Sequence, residues 1–326
     1  MSPLTASPSL QGLSAVVTGG SRGLGLLLAD ELAARHCAVT IVARDGEELT
    51  RAADLIRRRR GARIRTAVCD VRDRTAVRDV LGDTAREHGG VDLVIANAGI
   101  IQVAPVEAVG AEEFRSAMDT IFYGALHTSL EALPYLRRSP AGGRLALIGS
   151  VGGLLAAPHL LPYSCAKSAV GTLAEGLHAE AARDGVTVTA VHPGLMRTGS
   201  HLHAVFGGER EKEFAWFSTV AGMPLVSMDA GRAAKAIVRG VQRRRTRIVL
   251  TPAARAAGLA HGVAPALTTR AATLVTRMLP SAGDGRRGLR RGAEVEPPSH
   301  PVTRKVRAWG SALNDRASRA YNQRSV

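Results

Sequence analysis

Leu13-Ser14-Ala15-Val16-Val17-Thr18-Gly19-Gly20-Ser21-Arg22-Gly23-Leu24-Gly25 is the stretch that decides the fold. Leu13 to Thr18 is a short apolar run, and it predicts a buried parallel strand. A glycine-rich turn follows, and Leu26 to Arg35 has helical composition. Strand, glycine turn and helix in that order form a dinucleotide-binding arrangement. The glycines let the backbone approach a pyrophosphate, and the helix N-terminus offers it free amides and a partial positive charge. The spacing is Thr-Gly-x-x-x-Gly-x-Gly rather than Gly-x-Gly-x-x-Gly. A glycine cluster alone marks only a tight turn; its place between strand and helix favours the cofactor reading.

The pattern repeats downstream. Ala38 to Ala43 reads as a second strand, Ile64 to Cys69 as a third and Val91 to Ala96 as a fourth. Four strand–helix repeats predict an α/β fold, a doubly wound parallel sheet with right-handed crossovers. Strand ends then face the cofactor crevice. An acid after the second strand would bind the ribose 2′-hydroxyl of NAD, but Arg44 stands there, with Arg22 in the glycine turn. Two guanidinium forks match the 2′-phosphate of NADP. Asp45 leaves NAD open as the less favoured cofactor. Asp70-Val71 ends the third strand, where a carboxylate can accept from an adenine amine. Asn97-Ala98-Gly99 ends the fourth.

Arg144 to Ile148 is a fifth strand, with Gly149-Ser150 at its end. Tyr163-Ser164-Cys165-Ala166-Lys167 places a phenol and an ammonium at i and i+4, on one helix face. The ammonium is expected to lower the tyrosine pKa from its usual value of about 10, toward proton transfer near neutrality. Cys165 is expected to be a small packing residue.

These motifs in this order resemble the short-chain dehydrogenase/reductase family: Thr18-Gly19-x-x-x-Gly23-x-Gly25, Asp70, Asn97-Ala98-Gly99, Ser150, Tyr163-x-x-x-Lys167 and Pro193-Gly194. The resemblance covers roughly residues 12–250 and is most like the NADP-preferring members. It implies a Rossmann fold with the substrate site in its carboxyl-end loops. It also implies that Ser150 polarises a substrate carbonyl and that Tyr163 moves the proton as hydride transfers to or from a nicotinamide. Lys167 would tune the tyrosine and hold the nicotinamide ribose. The cofactor would touch Thr18, Gly19, Ser21, Arg22, Gly23, Leu24, Gly25, Arg44, Asp70, Val71, Asn97, Ala98, Gly99, Tyr163, Lys167, Pro193, Gly194 and Thr198. One position departs from the pattern. The family's asparagine in the preceding helix, expected over Phe114 to Leu136, falls on Ile121, which cannot hold a relay water. Weak or absent turnover is therefore the alternative reading.

Composition adds bounds. The chain has 326 residues, 45% of them hydrophobic and only 3% aromatic, so its core is aliphatic. Net charge is +15. Lysine occurs only at 167, 212, 235 and 305, so arginine supplies nearly all the positive charge. No recognition motif accompanies it, and nucleic acid is not an expected partner. Cys37, Cys69 and Cys165 have no metal or disulfide spacing. A reducing cytoplasm, a homo-oligomer and a small, hydrophobic alcohol or ketone are the expectations. Residues 200–225, with Leu202, Phe206, Phe214, Trp216 and Phe217, are expected to form an apolar lid.

Residues 1–11 read as a loose arm, 12–251 as the catalytic domain and 252–326 as a basic extension. In that extension Ala253 to Ala264 and Ala266 to Leu279 read as helices. Docking on the domain or pairing of subunits is expected of them first, and contact with an anionic membrane second. Residues 281–303 are expected to be flexible, and Ala308 to Tyr321 to form a weak basic helix.

Overall fold

Seven short aliphatic runs pair side by side in the computed structural model, which describes residues 9–223, 226–283, 288–295, 314 and 316–323. They are β1 (Ser14–Thr18), β2 (Ala38–Ala43), β3 (Ile64–Val68), β4 (Leu93–Ala96), β5 (Arg144–Ile148), β6 (Thr187–His192) and β7 (Arg247–Val249). All pair in parallel, in the order β7-β6-β5-β4-β1-β2-β3. β1, β4 and β5 are buried along their whole length, which is why valine, leucine and alanine fill them without alternation. The chain winds outward in both directions from the β1–β4 pair. That reversal leaves a crevice at the carboxyl ends of these two strands.

Helices cover both faces. On one lie α1 (Gly23–Ala33), α2 (Gly46–Arg60) and α8 (Ala230–Gln242), sharing a core that includes Leu28, Ile41, Ile56 and Ile237. On the other lie α3 (Arg74–His88), α5 (Gly124–Leu136) and α6 (Leu161–Ala181), around Val94, Leu145 and Val170. Sequence explains the ends of α2. Asp45 Oδ1 accepts from Glu48 N at 2.9 Å, acids occupy the first turn, arginines occupy the last, and Gly61 closes it at φ +66°. The helix expected over 114–136 is divided. α4 (Ala111–Ala117) passes into a π turn, Met118–Tyr123, before α5 begins.

The periphery departs from expectation in three places. Leu10, assigned to the loose arm, is buried, and its carbonyl accepts from Cys37 Sγ at 3.3 Å. Within 281–303, Arg290–Arg291 pairs antiparallel with Val205–Phe206, so that segment is partly built into the structure. Residues 314 and 316–320 are helical, inside the expected terminal helix, whose residues 308–313 and 315 lie outside the described residues.

α7 (Arg210–Gly222) contributes Phe214 and Phe217, which pack on buried Phe206 at ring-centroid distances of 5.2 and 5.9 Å. The lid aromatics thus form a small core of their own. α9 (Pro252–Val263) and α10 (Pro265–Thr276) pack on each other, with His261 Nδ1 2.7 Å from Thr268 Oγ1. Their Leu259, Val263, Leu267 and Leu274 are exposed, so the expected docking of these faces on the domain is not seen. Among the described residues no helix is long and apolar enough to cross a membrane.

Candidate active site and dinucleotide cradle

The glycine turn is a close-approach structure. Gly19 and Gly23 have φ of +64° and +55°, a region that side chains disfavour. A Cβ on Gly25 would stand 1.9 Å from Gly19 O, so the start of α1 rests directly on the turn. Thr18 Oγ1 accepts from Asn97 N at 3.0 Å and Ala98 N at 3.2 Å. Asn97 Nδ2 donates back to Thr18 O and Gly19 O at 3.0 and 3.2 Å. These four bonds tie the ends of β1 and β4 together across the switch point. Thr18, Gly19, Asn97 and Ala98 thus meet as expected, with Leu24 buried beside them. The cradle fits a dinucleotide phosphate in kind, since it brings bare backbone and first-turn amides of α1 to one surface.

Ser150, Tyr163 and Lys167 come together on the neighbouring wall. Ser150 ends β5 and caps the turn Val151–Gly153, with Oγ accepting from Gly152 N at 3.0 Å. Its own O–H is left to donate. A Cβ on Gly152 would stand 3.5 Å from Ser150 Oγ and 3.6 Å from Tyr163 Cε1, so the two side chains meet over this glycine. Two contacts hold the Ser150 backbone: His192 Nδ1 donates to Ser150 O at 3.3 Å, and Val151 N donates to Pro193 O at 2.8 Å. A Cβ on Gly153 would lie 2.6 Å from Lys167 O, so this turn sits on α6 itself. Lys167 is buried; its Nζ donates to Ile148 O at 2.6 Å and lies 5.7 Å from the Tyr163 ring centroid.

The expected acidified tyrosine is not what this geometry produces. Burial raises the Tyr163 pKa, and the Ser150 hydroxyl opposes that rise only in part. Lys167 is itself desolvated, which pushes its pKa down to about 8. Its ammonium faces the Ile148 carbonyl, and it contributes no resolved lowering to the phenol. Ile121 is buried where the asparagine was expected. A Cβ on Gly99 would stand 3.6 Å from Ile121 Cγ1 and 3.7 Å from Lys167 Nζ, so Gly99 borders both side chains. Among the described residues Thr120 makes no side-chain hydrogen bond that would replace the missing amide. Cys165, expected to be packed, is exposed on α6.

The adenosine end is more occupied than the sequence suggests. Arg22 pairs with Glu48 at 2.6 Å, and Ser21 Oγ donates to the same carboxylate at 3.0 Å. Arg22 is therefore not a free phosphate fork. Asp45 is spent as the cap of α2, and Asp70 is held by Arg72 through Nη2–Oδ2 and Nε–Oδ2 bonds of 2.6 and 2.9 Å. Arg44 is exposed and, among the described residues, has no side-chain partner. Val71 packs under Gly124, and its carbonyl accepts from His127 Nδ1 at 3.1 Å. Gly194 N donates to Leu250 O at 3.2 Å, and Thr198 is buried nearby on the same loop. Glu48 was missed, although Asp45-x-x-Glu48 is a helix-start pattern that places an acid in the first turn. Tyr321, Asn322 and Gln323 also reach the cradle, and no local signal marks them.

The family model for short chain dehydrogenases matches residues 14–204. The chain belongs to the short-chain dehydrogenase family. It is 31% identical over 242 residues to 11-beta-hydroxysteroid dehydrogenase 1A of Arabidopsis thaliana, covering 73% of this chain and 68% of that protein. Gluconate 5-dehydrogenase of Gluconobacter oxydans is 34% identical over 194 residues, covering 58% and 73%. Among solved structures, a short chain dehydrogenase from Mycobacterium paratuberculosis bound to NAD superimposes with a TM-score of 0.66 at 25% identity, covering 74% of this chain and 97% of that one. L-sorbose reductase from Gluconobacter frateurii, complexed with NADPH and L-sorbose, has the same fold at a TM-score of 0.66 and 20% identity, covering 75% and 97%. The family binds a nicotinamide dinucleotide and acts on hydroxyl or keto substrates, so the chain is an oxidoreductase of CH–OH groups.

Proposed function

We propose that this oxidoreductase transfers a hydride between NADP(H) and a hydrophobic secondary alcohol or ketone, with Tyr163 as general acid/base. The observation that carries the reading is the meeting of Ser150 and Tyr163 over Gly152 at the crevice, with Lys167 buried behind them. A bound nicotinamide would supply the hydride. Ser150 would donate to the substrate oxygen, and Tyr163 would give that oxygen its proton. A phenol whose pKa is raised keeps its proton at neutral pH, so Tyr163 starts as a donor and suits carbonyl reduction. Lys167 would orient the phenol and reach the cofactor ribose.

The preference for NADP rests on Arg44, exposed at the end of β2 and, among the described residues, without a hydrogen-bond or ion-pair partner. Glu48 works against it by neutralising Arg22. The apolar substrate is supported by the likeness to a hydroxysteroid dehydrogenase. The chain is proposed to work in a reducing cytoplasm as a homo-oligomer, with 252–326 as an extension to the catalytic domain. The test is oxidation of NADPH with a panel of aliphatic, cyclic and steroidal ketones. Turnover that Tyr163→Phe abolishes supports the enzyme; dinucleotide binding with no turnover across the panel would favour a binding protein, as Ile121 suggests.

A further inference from the structure

The glycine turn already carries a ligand made of this chain. Gly23 N is a first-turn amide of α1 with no partner inside the helix, and it donates to Tyr321 O at 2.9 Å. Asn322 Nδ2 donates to Ser21 O at 2.8 Å and to Glu48 O at 3.0 Å. Gln323 is buried, and its backbone carbonyl accepts from His203 Nε2 at 2.9 Å. A Cβ on Gly23 would stand 2.7 Å from Gln323 Nε2 and 3.8 Å from Thr198 Cβ. The Gln323 amide therefore fills the space between the glycine turn and the Thr198 loop. That loop is held as well. Gly199 N donates to Asn314 Oδ1 at 2.7 Å, and a Cβ on Gly199 would lie 2.4 Å from Ser318 Cα.

We propose that residues 316–323 compete with the dinucleotide for the phosphate cradle, a proposal that rests on reading this crevice as the cofactor site. The segment spans both loops that a pyrophosphate would need, and it uses the same backbone donor. One amide cannot serve a phosphate oxygen and the Tyr321 carbonyl together. The seat is incomplete, because among the described residues Gln323 Oε1 is buried without a hydrogen-bond partner. The groups that the segment sets on the cradle, the Tyr321 carbonyl and the Asn322 and Gln323 amides, are neutral, and a dianion at a helix N-terminus can displace them. The apparent affinity for dinucleotide is then the intrinsic affinity reduced by the fraction of chains in which the segment has left. The segment thereby sets how much cofactor is needed before the site opens.

The experiment measures NADPH affinity by nicotinamide fluorescence for the full-length chain and for full-length Asn322→Ala and Asn322→Ala/Gln323→Ala. Hydrogen exchange of residues 316–323 is followed with and without NADPH. The double variant is expected to bind about tenfold more tightly and the single variant about threefold, and the segment's amides are expected to exchange faster once NADPH is added. Unchanged affinity, or weaker binding with slower exchange, overturns the proposal; the latter would make the segment a clamp on bound cofactor. Failure of all three chains to bind dinucleotide overturns this proposal and the proposed function together, whereas equal binding by all three overturns this proposal alone.

Discussion

The two walls of the crevice are held by different means. The Ser150–Tyr163–Lys167 wall is built from β5 and the first turns of α6, elements close in sequence. Its polar groups are held by nearby backbone, Ser150 Oγ by Gly152 N and Lys167 Nζ by Ile148 O, and Lys167 is buried. The phosphate wall is open backbone by design of its glycines, and it is covered from residues some three hundred positions away. The first wall is proposed to be preorganised for chemistry, and the second to be a seat for which two ligands contend. Preorganised side chains can stabilise a transition state without moving, whereas a covered seat adds a conformational step before binding.

The largest expected effect breaks the first wall and spares the second. Tyr163→Phe should lower kcat by about 10²–10⁴-fold while leaving the dissociation constant for NADPH within about twofold. Stopped-flow reduction and fluorescence titration check both halves. Loss of cofactor affinity on the same scale would show that the walls are not separable.

Acidity sharpens the contrast next. Lys167 has its pKa lowered to about 8 by burial. If its ammonium is needed, kcat/KM should fall as pH rises through about 8, and Lys167→Arg should move that limb upward. Stability should change in the opposite sense. A lysine whose folded pKa lies below its unfolded value binds fewer protons when folded, so stability rises between about 8 and 10.5 and is flat outside that window. A melting series across this range reads the sign.

Two smaller effects probe the adenosine end of the phosphate wall. Arg44→Asp should weaken NADP relative to NAD by about ten- to a hundredfold, the worth of one charged contact. An unchanged ratio of dissociation constants would refute the cofactor preference. Glu48→Gln frees Arg22 from its ion pair and should raise the preference for NADP by about threefold, measured by the same titrations.

Much of the fold was legible before any coordinates. Apolar runs predicted β1 to β5 within two residues, because fully buried parallel strands tolerate little besides aliphatic side chains. Ser150, Tyr163 and Lys167 were legible because a strand end and one helix turn convert spacing into distance. The acidity of Tyr163 was not legible. Spacing put Lys167 on its face, but the balance of desolvation and charge depends on what else surrounds both groups. The Arg22–Glu48 pair was hidden for a similar reason, since two residues 26 apart meet only when α2 folds back beside the glycine turn. The π turn at Met118–Tyr123 was equally invisible, because its residues carry ordinary helical composition.

By itself the sequence determined the parallel sheet and the glycine turn, and it singled out Ser150, Tyr163 and Lys167, the side chains proposed to react. Those follow from local rules of burial, backbone freedom and helical spacing. Only the tertiary structure decided the desolvation of the phenol, the pairing of Arg22 with Glu48 and the presence of Tyr321, Asn322 and Gln323 on the glycine turn. Each of these depends on contacts between distant parts of the chain, and no local pattern encodes which distant carbonyl will answer a free amide.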